Sequence, residues 1–394
     1  MKIALLLANA YGMGGTIRTV FNLAGGLAER HEVEIISLIN HREKPFFTVP
    51  EGVAVRALAP SREWTQRPKQ PMVARWREKR ACGTVPKSEQ ERNGAFNSRT
   101  EYELRRYLRG TDADVVVGTR PGVNMLLARW APPGLLTIGQ EHVNLDNHQH
   151  DVRDAIRRYY PRLNGLTVLT EADKRAYEEY LPGRPDWITT MPNGLPPGDY
   201  PRSTLENPII ATAGRLTPIK QYPKLLEAFA VVAEAHPEWR LRIYGGGGNE
   251  GALKAKIAEL GLHNQVAIMG RTKDLTGELA KASILAVSSR TEGFGMTIIE
   301  GFSVGVPAVS FDCPHGPREI ITSERDGLLV PHQDVGALAS GLLRLVEDPE
   351  ERRRMGEEAV RTARRYDLPL ITERWEKFIN ERLAVKTADT AAAA

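Results

Sequence analysis

Cysteine is nearly missing from this chain: Cys82 and Cys313 are the only two in 394 residues, far apart and outside any Cys-x-x-Cys or Cys/His pattern. That excludes a disulfide scaffold and the usual structural zinc sites, and it fits a reducing compartment. Long apolar runs are missing as well, since no stretch approaches the roughly 20 residues that a membrane-spanning helix needs. The apolar opening, residues 1–8, stops at Asn9 and enters a glycine-rich turn without a small-residue cleavage site, so it reads as a buried strand and not as a signal peptide. An excess of one charge is also lacking. The 53 Lys and Arg against 49 Asp and Glu leave +4, too little to argue for nucleic acid. No Ser-His-Asp or activated-cysteine arrangement is visible. The expectation is a cytoplasmic protein with at most a peripheral membrane contact.

What is present is the make-up of a globular enzyme, 41% apolar and 26% charged, with length for two domains. Apolar runs at 3–8, 34–39, 53–58, 115–118, 135–139 and 165–169 alternate with helical stretches, the signature of a parallel sheet covered on both faces. The Pro- and Gly-rich stretch 192–199 reads as a linker. A second alternating set follows, with strands at 209–214, 240–244, 266–269, 284–288 and 308–311. The fold class is therefore α/β with two Rossmann-like halves, 1–195 and 205–368. A helix over 369–385 and a disordered tail over 386–394 are expected to close the chain.

Residues 62–99 break the rhythm, with ten Lys or Arg against four Asp or Glu, and with Trp64 and Trp76. This insertion, about 61–100, reads either as a solvated, partly disordered loop or as a basic surface for an anionic membrane-borne acceptor. Asp112-Ala-Asp114 has the form of a metal-binding Asp-x-Asp. It immediately precedes a strand, however, so both carboxylates fall at the amino end of the sheet, and no metal is expected.

The most informative stretch runs from Glu292-Gly-Phe-Gly295 to Glu300, two glutamates eight residues apart between a strand and a helix. Carboxylates among apolar segments are costly unless something hydrogen-bonds them, and sugars and ribose offer hydroxyl donors in pairs. Glu292 is expected in the loop and Glu300 two turns into the helix. In Gly214-Arg215-Leu-Thr-Pro-Ile-Lys220, two cations follow another strand, where an Arg fork and a Lys point charge suit a pyrophosphate. Gly246, Gly248 and Gly251 form a Gly-x-Gly-x-x-Gly, which by itself suggests NAD, but the loop ends the second strand of its half and not the first.

Together these motifs resemble retaining glycosyltransferases of family 4, the group 1 enzymes with the GT-B fold of two Rossmann-like domains facing across a cleft. The resemblance implies a donor-binding second domain and an acceptor-binding first domain. In it Glu292 binds hexose hydroxyls, Glu300 binds the nucleotide ribose, and Arg215 and Lys220 clamp the diphosphate, although Gln221 replaces the usual glycine after the lysine. It also implies donor contacts at Gly14, Gly15, Gly214, Gly246, Gly248, Arg271, Leu275, Gly293, Phe294, Gly295, Met296 and Thr297. His142 would contact the sugar and join Arg215, Lys220 and Glu292 in catalysis, while Asn9, Arg18, Arg120, Glu141 and Asn144 would meet the acceptor. Arg318 and Glu319 sit in similar Gly-Pro-x-Glu-Ile-Ile wording, beside a plain structural reading as a helix start. The function implied is metal-independent transfer of a hexose from a nucleotide sugar, UDP-linked before GDP-linked, to a hydroxyl acceptor, with a lipid-linked one among the options, in cell-envelope or capsular polysaccharide, glycolipid or secondary-metabolite glycosylation. No cofactor beyond the donor is implied. The competing readings are an NAD-dependent two-domain oxidoreductase and a non-catalytic nucleotide-sugar-binding protein.

Overall fold

A computed structural model describes residues 1–60, 72–181, 183 and 186–393. The chain forms two compact units, one of residues 1–196 with 368–394 and one of residues 197–367. No helix among the described residues is long and apolar enough to cross a membrane.

Unit 1 is built on seven strands, β1 Lys2–Leu7, β2 Glu32–Ser37, β3 Val53–Ala57, β4 Val115–Gly118, β5 Leu136–Gln140, β6 Gly165–Val168 and β7 Ile188–Thr190. All pair in parallel, in the order β3-β2-β1-β4-β5-β6-β7. The central strands are apolar without alternation because helices cover both faces; Val115, Val116 and Val117 are fully buried. The covering helices are α1 Gly15–Ala28, α2 Met72–Glu78, α3 Lys87–Arg92, α4 Ser98–Gly110, α5 Pro121–Trp130, α6 His150–Tyr159 and α7 Glu171–Tyr180.

Unit 2 has six parallel strands, β8 Ile209–Ala213, β9 Arg240–Tyr244, β10 Val266–Gly270, β11 Ile284–Val287, β12 Ala308–Phe311 and β13 Gly327–Val330, in the order β10-β9-β8-β11-β12-β13. Its helices are α8 Tyr222–Ala235, α9 Glu250–Glu259, α10 Leu275–Leu279, α11 Met296–Ser303, α12 Pro317–Ile320, α13 Val335–Glu347 and α14 Pro349–Ala363. In each sheet the connections reverse direction once, at β1/β4 and at β8/β11, and such a switch point opens a crevice at the carboxyl ends of the strands.

Strands β7 and β13 are absent from the sequence reading. Both are short, three and four residues, and Gly327 opens the second, so neither shows a run long enough to stand out.

The last helix, α15 Leu368–Ala393, returns to unit 1 and buries Trp375, Phe378 and Ile379 against Ile3, Leu5, Phe21 and Leu27. It corrects the expected disordered tail from 386. The Ala- and Lys-containing sequence favours helix, and Lys386 Nζ donates to the Leu135 carbonyl at 2.6 Å. Residue 394 lies outside the described residues.

The basic insertion also needs correction. Its first part, with Trp64, lies outside the described residues, but residues 72–100 are folded. Cys82, Val85, Ala95 and Phe96 are buried and anchor the segment on unit 1, and a Cβ at Gly122 of α5 would stand 2.5 Å from Phe96 Cζ. The charge count hid these four anchors. Asn97 then starts α4 with a capping box shared with Thr100.

Candidate functional site

In unit 2 the chemistry gathers where β8 and β11 end. The 3-10 turn Pro218–Lys220 after β8 is tied to the end of β11 by Ser288 Oγ donating to Lys220 O (2.8 Å) and Arg290 N–H donating to Ile219 O (2.8 Å). These bonds deliver Lys220 Nζ to Glu292 Oε1 at 2.6 Å, where Ser289 Oγ also donates to the same carboxylate oxygen at 2.6 Å. Both side chains are mostly shielded, 19% and 14% exposed, so the pair is screened less than a surface ion pair. A small cavity lined by Thr212, Lys220, Tyr222, Ser288, Glu292 and Thr297 sits there. A larger one of about 320 Å³, lined by Leu216, Pro218, Tyr222 and Leu253 among others, holds none of the expected side chains.

Arg215 is exposed just past β8 and, among the described residues, makes no side-chain hydrogen bond or ion pair. Gly295, at φ +112°, caps α11, and Met296 and Thr297 open that helix, with Thr297 Oγ1 donating to Ala213 O at 3.4 Å. Glu300 is the fifth residue of α11, one turn in and not two, and is only 2% exposed. Phe294 is corrected from a donor contact to a core residue: its ring packs edge-on against Tyr366, centroids 5.5 Å apart. Gly293 stays in the loop between β11 and α11.

The glycine-rich loop after β9 packs on the β8 turn. A Cβ at Gly245, which has φ +146°, would stand 1.9 Å from Gly214 O, and one at Gly246 would stand 2.7 Å from Arg271 Nε. A Cβ at Gly214 would meet Lys220 Cε at 2.7 Å, so that glycine makes room for the lysine stem. Gly248 is exposed, and Leu275 opens α10. Gln221 adopts the left-handed conformation, φ 48°, that a glycine would take more readily, and its amide donates to Gln333 Oε1 at 3.0 Å. Arg318 makes a bidentate pair with Asp312 at 2.8 and 2.9 Å, and Glu319 lies beside it in α12.

In unit 1, Gly14 is the N-cap of α1 and accepts from Arg18 N–H at 3.0 Å, with Gly15 exposed at the first helical position. Asn9 accepts from Tyr11 N–H and meets His41 Nδ1 at 2.7 Å, so its side chain shapes the turn. Arg120 is engaged by the buried Glu89 of α3, with Nε at 2.8 Å from Oε1, a pairing that the expected acceptor role did not foresee. Burial pushes His142 down to about 4, so its imidazole is neutral near pH 7. Glu141 and Asn144 are corrected too: at 1% and 2% exposure both are interior groups, because the chain past β5 turns them inward.

Asp112 and Asp114 lie at the amino end of the sheet and are held by Lys2, whose Nζ donates to Asp112 and whose backbone N–H donates to Asp114 at 2.8 Å. Sequence reasoning missed Ser288 and Ser289, for which the only signal was a serine pair at a strand end. It also missed Glu89, Asn124, Tyr160 and Asp173, which no motif marks.

Residues 201–362 match the family model described as Glycosyl transferases group 1. The match covers the second unit of the chain. The chain's fold is GT-B: S. aureus TarM, solved with UDP, alpha-GlcNAc-glycerol and fondaparinux, superposes with a TM-score of 0.79 over 96% of this chain and 99% of that one, at 16% identity. An exopolysaccharide phosphotransferase of Streptomyces coelicolor is 36% identical over 384 residues, 97% of this chain. The chain spans 41% of that relative's length. An alpha-1,4-N-acetyl-D-galactosaminyltransferase of Campylobacter jejuni, named for a PP-undecaprenol-linked glycan, is 26% identical over 97% of this chain and 99% of its own length.

Proposed function

We propose that this protein is a group 1 glycosyltransferase that moves a hexose-type sugar from a nucleotide-diphosphate sugar, UDP-linked before GDP-linked, to an acceptor hydroxyl, with retention and without a metal ion. The observation that carries the reading is the meeting of Lys220 and Glu292 at the β8/β11 switch point. Lys220, with the uncommitted guanidinium of Arg215, suits the diphosphate, whose negative charge grows as the bond to the anomeric carbon breaks. Glu292, released from Lys220, accepts hydrogen bonds from sugar hydroxyls. Neutral His142 offers one N–H donor and one acceptor to a sugar. In retaining transfer the acceptor hydroxyl attacks the face that the diphosphate leaves, so charge stabilisation matters more than a protein nucleophile.

The acceptor side of the proposal is a lipid-linked glycan in envelope or capsular polysaccharide, met at the inner face of the cell membrane. The Campylobacter relative's name and the surface of α2 support it. Met72, Val73 and Trp76 are 86%, 58% and 53% exposed, beside Arg75, Arg77 and Arg80, and each basic residue near an anionic surface contributes roughly 1 kcal/mol. Vesicle sedimentation with and without anionic lipid tests this; salt-insensitive or absent binding would leave α2 a solvated helix. The phosphotransferase name of the Streptomyces relative is not carried over, because the match covers under half of that protein.

Release of nucleoside diphosphate from a panel of nucleotide sugars tests the central claim. Release that needs an acceptor supports transfer. Binding without release would favour a nucleotide-sugar-binding protein, and hydride transfer with NAD would favour the oxidoreductase reading.

A further inference from the structure

Beyond the end of β5 the chain folds over a buried polar cluster built around Glu141, Asn144, His148 and Asp173. Glu141 continues the ladder by donating its N–H to Thr167 O at 2.9 Å, then turns its carboxylate inward. Oε1 accepts from Asn124 Nδ2 of α5 at 2.7 Å and from the Tyr160 hydroxyl after α6. Oε2 lies 3.8 Å from His148 Nε2, both side chains at most 2% exposed. Between these two residues, Leu145 N–H donates to Asp173 Oδ1 of α7 at 3.0 Å, and Asn147 Nδ2 donates to Asn144 Oδ1 at 3.1 Å. Residues 141–148 thus form a loop closed at its ends by Glu141 and His148 and pinned at its middle by Asp173.

Burying a carboxylate costs several kcal/mol, and apolar groups of the same volume often hold a fold at least as well. Here two carboxylates, one just past β5 and one from α7, are kept in the interior beside one loop. Stability alone gives little reason to place them beside His142; fixing that segment's shape does.

We propose that Glu141 is a positioning residue that acts through His142: its carboxylate fixes the 141–148 loop and so the direction in which the His142 ring is presented to substrate. The proposal rests on the transfer reading above. It assigns the role to a residue that does not reach the substrate, since Glu141 is 1% exposed and its Oε1 is held by Asn124 and Tyr160 inside unit 1.

The test combines Glu141→Gln, His142→Ala and the double variant, with kcat for transfer, affinity for nucleoside diphosphate, melting temperature and amide exchange measured on each. The expected result is a loss of about tenfold or more in kcat for Glu141→Gln, with nucleoside-diphosphate affinity unchanged and exchange accelerated only in 141–148. In the His142→Ala background, Glu141→Gln should cost nothing further, because two residues acting as one unit are not additive. An equal loss in both backgrounds, or wild-type kcat and exchange in Glu141→Gln, overturns the proposal. Should Glu141→Gln not fold, Tyr160→Phe, which removes one donor to Glu141 Oε1, gives the same kcat and exchange readout. If no nucleotide sugar is turned over by the wild type, the transfer reading fails by itself, while the exchange measurement still decides whether Glu141 holds the loop.

Discussion

Lys220 and Glu292, 72 residues apart, form a 2.6 Å ion pair that occupies the lysine expected to hold a diphosphate. A donor has to compete with Glu292 for that ammonium. Replacing the carboxylate therefore has opposite effects on binding and on turnover.

Glu292→Gln is expected to bind nucleoside diphosphate several-fold more tightly, on the order of 1 kcal/mol, because it removes a negative charge beside the incoming phosphates. Transfer should fall by 100-fold or more. Lys220→Ala should weaken the diphosphate far more than the nucleoside. Calorimetry with both ligands checks the pair, and equal losses for nucleoside and diphosphate in Lys220→Ala would mean that the lysine acts by packing.

Gln221→Gly should stabilise unit 2. A non-glycine residue at φ 48° carries about 1 kcal/mol of strain, partly offset by the hydrogen bond to Gln333 and by the extra freedom glycine has when unfolded. The expected rise in melting temperature is small, below about 2 °C. A fall would show that the Gln333 contact outweighs the backbone.

Asp173 sets a pH dependence. Burial chiefly, and the neighbouring Glu141 and Asp146 charges, raise its pKa to about 7 from 3.8, against the opposing effects of Leu145 N–H and His148. Between pH 4 and 7 the folded chain retains a proton that the unfolded chain has released, so this group's contribution to stability falls as pH rises through that window and then levels off. His142 acts in the opposite sense, its contribution falling as pH drops from 6.5 through about 4. The two slopes oppose one another between about pH 4 and 6.5, so Asp173→Asn should leave stability rising with pH over that range; an unchanged slope would remove Asp173 as a contributor.

Chelation gives the fourth test. With Asp112 and Asp114 held by Lys2 at the amino end of their sheet, activity is expected to survive excess chelator and the double change to Asn. Full loss on chelation, restored by a divalent ion, would contradict the charge-based account of diphosphate stabilisation.

The parts of the site legible in the sequence were those fixed by short spacing after a strand. Glu292 and Lys220 each follow an apolar run within a few residues, and the parallel sheet brings the two runs side by side. Direction past a strand end was not legible, because the period-two alternation stops there. Hence Glu141 and Phe294 were assigned to ligands while the structure turns both into the interior. Partnerships across long separations were equally hidden. The pairing of Arg120 with Glu89 depends on a folded segment whose charge had masked its four apolar anchors.

The return of α15 to unit 1 has a consequence for biosynthesis. A ribosome adds Trp375, Phe378 and Ile379 only after all of residues 197–367, yet those side chains belong to the core around Ile3 and Leu5. Unit 2 can therefore close while the nascent chain is still growing, whereas the sheet translated first waits with one face incompletely covered. During that interval the uncovered face is a point of contact for chaperones, and slowing translation between codons 367 and 380 would lengthen the exposure.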